Sequence, residues 1–115
     1  MALADAGSDV MILHYLGLDH IGHSFAGKEE FVIPKLKEMD HKIEDVYTRI
    51  AQRDSQDGKK TLMLVMGDHG MTSEGNHGGA SKDETHAAAV FMSPHFRKAP
   101  SSFESWTEAI AAAEA

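Results

Sequence analysis

Three stretches of this chain are apolar on every side, and between the first two lies one whose apolar positions recur three and four residues apart. "DVMILHYLGL" (residues 9–18) has no polar face, so it predicts a strand buried between helices, as in a parallel sheet. "SFAGKEEF" (residues 24–31) reads as a loop. Leu36, Met39, Ile43, Val46, Tyr47 and Ile50 then form one stripe of a helix from about 33 to 53, with Pro34 in its first turn. Lys35, Lys37, Glu38, Asp40, Lys42, Glu44 and Asp45 cover its other face, and "DSQDGKK" ends it with turn residues. "TLMLVMGD" (61–68) predicts a second buried strand, and "HAAAVFMSP" a third from about 87 to 92, stopped by Pro94. The tail "SSFESWTEAIAAAEA" predicts a helix with Ser101 and Glu104 as a capping box and Phe103, Trp106 and Ile110 as its stripe. The order predicts an α/β fold: a partial, mostly parallel sheet of about three strands covered by helices.

Composition narrows the function classes. At 115 residues the chain suits one small domain. A net charge of −7 repels phosphates, which argues against a nucleic-acid or anionic-membrane surface. The absence of cysteine removes disulfides and thiolate metal sites. No stretch approaches the roughly 20 apolar residues of a membrane span. "MALADAGSDV" lacks the basic and apolar regions of a signal peptide.

Two segments carry the candidate chemistry. "LGLDHIGHSF" crowds Asp19, His20 and His23 at the end of the first predicted strand, and "MGDHGMTSEGNHGG" places Asp68, His69 and His77 after the second. In open α/β sheets the functional crevice lies beyond the C-terminal strand ends. Two parallel neighbouring strands would turn both aspartates into one crevice. Carboxylate oxygen and imidazole nitrogen are both good zinc ligands. Asp19-x-x-x-His23 puts one of each a turn apart. Gly67 and Gly70 flank Asp68-His69, and Gly75, Gly78 and Gly79 surround His77, which lets backbone approach an ion or phosphate closely. Three ligands with a fourth position open is the pattern of a catalytic zinc. Two ions about 4 Å apart suit phosphoryl transfer. Taken singly, each motif has a plainer reading, because D-x-x-x-H recurs by chance and a lone histidine is usually a surface residue.

"HYLGLDHIGH" followed by "GDHGMTSEGNHGG" resembles the alkaline phosphatase superfamily and, more narrowly, the GPI ethanolamine phosphate transferases, nearest the branch acting on the second mannose. "LKEMD" (36–40) echoes the same branch, and the likeness spans about residues 9–100. The resemblance implies that residues 1–115 are the C-terminal part of an alkaline-phosphatase-like catalytic domain. It implies a zinc on Asp19, His23 and His77. A second zinc would take Asp68 and His69, completed by an aspartate and a nucleophilic threonine that the family carries upstream. Thr61, Thr72 and Thr85 do not match the nucleophile's context, so no catalytic nucleophile is expected here. The implied reaction moves phosphoethanolamine from phosphatidylethanolamine to a mannose hydroxyl of a GPI precursor, through a covalent phospho-enzyme. It also implies a larger, membrane-embedded enzyme of the endoplasmic reticulum with a luminal catalytic domain. The chain is thus expected to be a fragment that binds one zinc and does not turn over. Two alternatives stand beside it: a related hydrolase such as a nucleotide pyrophosphatase, sulfatase or phosphoglycerate-mutase-like domain, or an inactive metal-binding remnant.

Among the other histidines, His20 on a strand end would point away from Asp19 and suits a substrate contact. His14 reads as a core or supporting residue, His41 and His95 as surface, and His86 as a support for the site. Glu74, Asn76 and Ser81 line the glycine loop.

Overall fold

The computed structural model describes residues 8–96. Residues 9–16, most of the expected first strand, have no regular structure, and a helix, α1 (Gly17–Phe25), takes in the last two residues of that strand and the Asp19–His23 motif after it. The unbroken apolar run hides a change of period. From Leu18 onward Leu18, Ile21, Gly22 and Phe25 recur at three and four, a helical face. A strand also needs a neighbour to take its backbone groups, and among the described residues no strand pairs with this segment. The helix begins with the His20 amide donating to the Leu16 carbonyl at 3.0 Å. Asp19 lies in its first turn, the end where the helix dipole favours a carboxylate, and His23 lies in its last.

The second helix, α2 (Glu29–Asp57), is longer at both ends than the stripe predicts. The Phe25 and Phe31 rings stack with centroids 4.0 Å apart, which draws the expected loop into two helix ends packed on each other. Pro34 therefore lies inside α2 rather than at its first residues, at the cost of one backbone hydrogen bond. Of the stripe, Met39, Ile43, Val46 and Tyr47 are half-buried and Ile50 is buried, while Leu36 at its start is exposed. Gly58, in the left-handed region at φ 66°, ends the helix.

Beyond Gly58 the chain forms β1 (Met63–Met66), then a glycine-rich excursion with one short helix, α3 (Lys82–Thr85), and returns as β2 (Ala89–Met92). The strands are antiparallel, with Met63 opposite Met92 and Met66 opposite Ala89. Among the described residues the sheet has two antiparallel strands, not the mostly parallel three expected. A parallel neighbour would require a crossover, normally a helix lying across the sheet. Here the connection folds back above the strand ends, its only helix too short for that task. The Gly67 amide extends the ladder by one bond, to the Ala88 carbonyl at 3.0 Å.

A polar joint ties α2 to this ribbon. Asp54, 2% exposed, accepts from the Thr61 amide and the Thr61 hydroxyl, both at 2.7 Å. Arg53 Nη2 donates to Thr61 Oγ1 at 2.6 Å and to Asp54 Oδ1 at 3.4 Å. His95 Nε2 stands 3.3 Å from Asp54 Oδ2, and Ser93 Oγ donates to the Thr61 carbonyl at 2.8 Å. Burial pushes the Asp54 carboxyl up, but the donors from Thr61, Arg53 and His95 outweigh it and hold the group below its ordinary value. His95, read as a surface residue, is part of this joint.

The ribbon leaves much apolar surface open. Leu62, Leu64, Met66, Val90 and Phe91 are all exposed, as are Val10 and Ile12 in the segment before α1. Among the described residues no helix is long and apolar enough to cross a membrane. The expected helix of the tail, with Trp106, lies outside the described residues.

Candidate metal centre

Because Asp19 and His23 are four residues apart on α1, their side chains lie one above the other on the same face. His23 Nε2 stands 3.4 Å from Asp19 Oδ1. The glycine-rich excursion brings a third group to the same atom, with His77 Nε2 3.2 Å from Asp19 Oδ1. The three residues each offer a ligand atom, all within 4.8 Å of one another. Asp19 Oδ1 is buried and has no hydrogen-bond partner. A buried carboxylate oxygen without a donor is costly. A cation between it and the two imidazoles would remove that cost.

The excursion is delivered to α1 by close backbone packing. Gly22 is the buried residue of α1, and the Met71 side chain lies directly on it. The Thr72 carbonyl accepts from the Gly75 amide at 3.0 Å, and the Thr72 amide donates to the Asn76 carbonyl at 2.9 Å, closing a turn. Gly75 sits at φ 79°, and a side chain there would run into the Gly22 carbonyl. A glycine is therefore needed at that point both for conformation and for space. His77 follows two residues later and lands beside Asp19.

The second pair stands next to this group. The His69 and His77 rings stack with centroids 3.8 Å apart, and the His23 and His77 centroids are 4.8 Å apart. His69 Nδ1 lies 2.8 Å from the Gly70 carbonyl, which fixes its ring. Asp68 follows β1 closely, as the strand pattern predicts, but its side chain is exposed. Its carboxylate accepts from the His69 amide at 3.1 Å and lies 3.9 Å from His14 Nε2. The backbone amides of Asp68 and His69, with the His69 and His14 rings nearby, hold the Asp68 carboxyl below its ordinary value against the opposing effect of burial.

Several expectations change with α1. Asp19 belongs to a helix, so D-x-x-x-H converges through the helical repeat rather than at a strand end. His20 is turned from Asp19 by one helical step, not flipped across a pleat, and it is exposed. His14 is not a core residue: its side chain is 66% exposed and faces Asp68. His41 and His86 are exposed. Thr61 is engaged by Asp54, Thr72 Oγ1 accepts from the Asn76 amide, and Thr85 Oγ1 donates to the Ser81 carbonyl.

A sequence model of the family described as type I phosphodiesterase / nucleotide pyrophosphatase matches residues 1–100. The chain belongs to this family. Among curated proteins, several named GPI ethanolamine phosphate transferase 2 are similar to it. That of Kluyveromyces lactis is 52% identical over 94 residues, 82% of this chain and 11% of the relative. That of Saccharomyces cerevisiae is 48% identical over 86 residues, 75% of this chain and 10% of the relative. That of Candida albicans is 49% identical over 88 residues, 76% and 9% respectively. The chain thus spans about a tenth of the length of the curated relatives it matches. No solved structure matches it. Type I phosphodiesterases sit within the metal-dependent alkaline phosphatase superfamily, and the Asp19, His23 and His77 group suits that dependence.

Proposed function

We propose that the chain is the metal-ligating part of a GPI ethanolamine phosphate transferase 2-type catalytic domain, one that works on a phosphodiester in the lumen of the endoplasmic reticulum. Asp19, His23 and His77 hold one zinc. The observation that carries this reading is the buried, unpartnered Asp19 Oδ1 facing two imidazole nitrogens. One oxygen and two nitrogens suit zinc, with a fourth position left for substrate. Asp68 and His69 serve a second zinc whose remaining ligands, an aspartate and the nucleophilic threonine, come from elsewhere in the longer enzyme. Bound zinc supplies Lewis acidity toward phosphoryl oxygens.

The protein's own part is positional. Helix α1 holds an oxygen and a nitrogen one turn apart, and the turn closed by Thr72 brings His77 to them. The His23 and His77 rings turn Nε2 toward Asp19 Oδ1, where the ion would lie. His20, exposed beside Asp19, contacts the substrate. The substrates by this reading are phosphatidylethanolamine as donor and a mannose hydroxyl of the GPI precursor as acceptor. The names of the relatives favour this transfer over hydrolysis.

Equilibrium dialysis of the purified chain against zinc tests the reading. About one zinc per chain is expected, and none for Asp19→Asn; equal uptake by both contradicts it. Without a nucleophile the isolated chain should not transfer phosphoethanolamine. Product formed from phosphatidylethanolamine and a mannose acceptor would overturn that division of labour.

A further inference from the structure

Glu84 makes no hydrogen bond to the three ligands, yet it bonds to both arms of the excursion that carries His69 and His77. Its backbone carbonyl accepts from the Gly70 amide at 2.8 Å, the residue after His69. Its carboxylate Oε1 accepts from the Gly79 amide at 2.8 Å, two residues after His77. Its Oε2 accepts from the Ser81 hydroxyl and, at 3.3 Å, from the Ser81 amide, in a capping box that starts α3. The fit at Gly79 is close: a Cβ there would lie 2.7 and 2.8 Å from the two carboxylate oxygens. One residue of a four-residue helix thus sets the gap between the two arms. Across that gap the His69 and His77 rings stack.

We propose that Glu84 is a positioning residue that fixes His77 against Asp19 and His69. This rests on the metal reading of Asp19, His23 and His77. The backbone bond to Gly70 survives any substitution, whereas the Gly79 arm and the Ser81 capping box both depend on the side chain. Without it, residues 77–79 keep no side-chain tether to α3, and His77 loses its fixed distance from Asp19. Glutamine keeps one oxygen for the Gly79 amide. Aspartate, one carbon shorter, does not reach it.

The test uses the 115-residue chain. Zinc affinity is measured by competition with a chromophoric chelator for wild type, Glu84→Ala, Glu84→Gln and Glu84→Asp. Ring-to-ring nuclear Overhauser effects between His69 and His77 are recorded without metal. Glu84→Ala and Glu84→Asp are expected to lower zinc affinity about tenfold, the lower end for groups that hold a ligand in place, with Glu84→Gln close to wild type. The His69–His77 effect should vanish in Ala and Asp and persist in Gln. If Glu84→Ala loses its helical circular dichroism, the Gln and Asp pair decides. Unchanged ring contacts in Asp, or equal affinities across Gln and Asp, overturn the proposal. A wild type that binds no zinc defeats the metal reading instead, and the ring contacts still judge Glu84.

Discussion

Asp19 and Asp54 are two carboxylates in the same small fold, and they are treated in opposite ways. Asp54 is almost wholly buried, and its oxygens meet donors from the Thr61 amide, the Thr61 hydroxyl and Arg53, with His95 beside them. Asp19 is a third exposed, but its Oδ1 is buried between two imidazole nitrogens and receives no hydrogen bond. A carboxylate whose lone pairs are all answered by protons joins elements of the fold. One left unanswered, among groups that can themselves donate electron pairs, is built for a cation. On the proposed reading, burial alone would pick the wrong aspartate as the metal ligand.

The comparison is broken most sharply by exchanging charge for amide at each site. Asp19→Asn should lower zinc affinity by at least about 100-fold, more than loss of a supporting residue does. Its metal-free melting temperature should stay the same or rise, because no donor is lost. Asp54→Asn should do the reverse. Its melting temperature should fall by roughly 10 °C, since an amide nitrogen would face the Thr61 amide and leave it unpaired. Calorimetry and zinc titration of both variants separate the two roles. A stability loss in Asp19→Asn as large as in Asp54→Asn would erase the distinction.

Next in size is the packing that brings His77 to α1. Gly75→Ala should cost more than Gly22→Ala. At Gly75 the new methyl meets the Gly22 carbonyl in a backbone already at φ 79°, whereas at Gly22 it meets the flexible end of Met71. Urea midpoints give the order, and a larger loss from Gly22→Ala would contradict the packing described.

The smallest effect is in acid. The folded-state value of Asp54 is lowered, so its contribution is present in full above the ordinary carboxylate value of about 3.9 and is lost as pH falls through the lower, folded value. The difference in melting temperature between wild type and Asp54→Asn should be flat near neutrality and shrink below about pH 4. A difference that shrinks between neutrality and pH 5 would assign the joint to another group.

How much of this could be read from the sequence follows from the range of each interaction. The Leu36–Ile50 stripe marks α2 because helical periodicity is local. The β1 and β2 segments are legible as apolar runs bounded by glycine and proline. Residues 9–18 mislead because an apolar run carries no period, and the helix shows itself only once Leu18, Ile21, Gly22 and Phe25 are compared. The antiparallel pairing was illegible, since nothing local tells whether an excursion crosses a sheet or folds back. The Asp19–His23 pair survives this change of element, because four residues is one helical turn. His77 was legible from its motif, but the reason it arrives, Gly75 against Gly22, is a contact between distant segments. The Asp54 joint was hidden for the same reason: Asp54 reads as a turn residue and His95 as a surface one until the fold brings them together.

The most direct test of the central claim is the zinc content of the purified chain, compared with His23→Ala and Asp68→Asn. The account predicts about one zinc in the wild type, near-complete loss in His23→Ala and retention of most of it in Asp68→Asn. Equal zinc in wild type and His23→Ala, or a loss confined to Asp68→Asn, would contradict it.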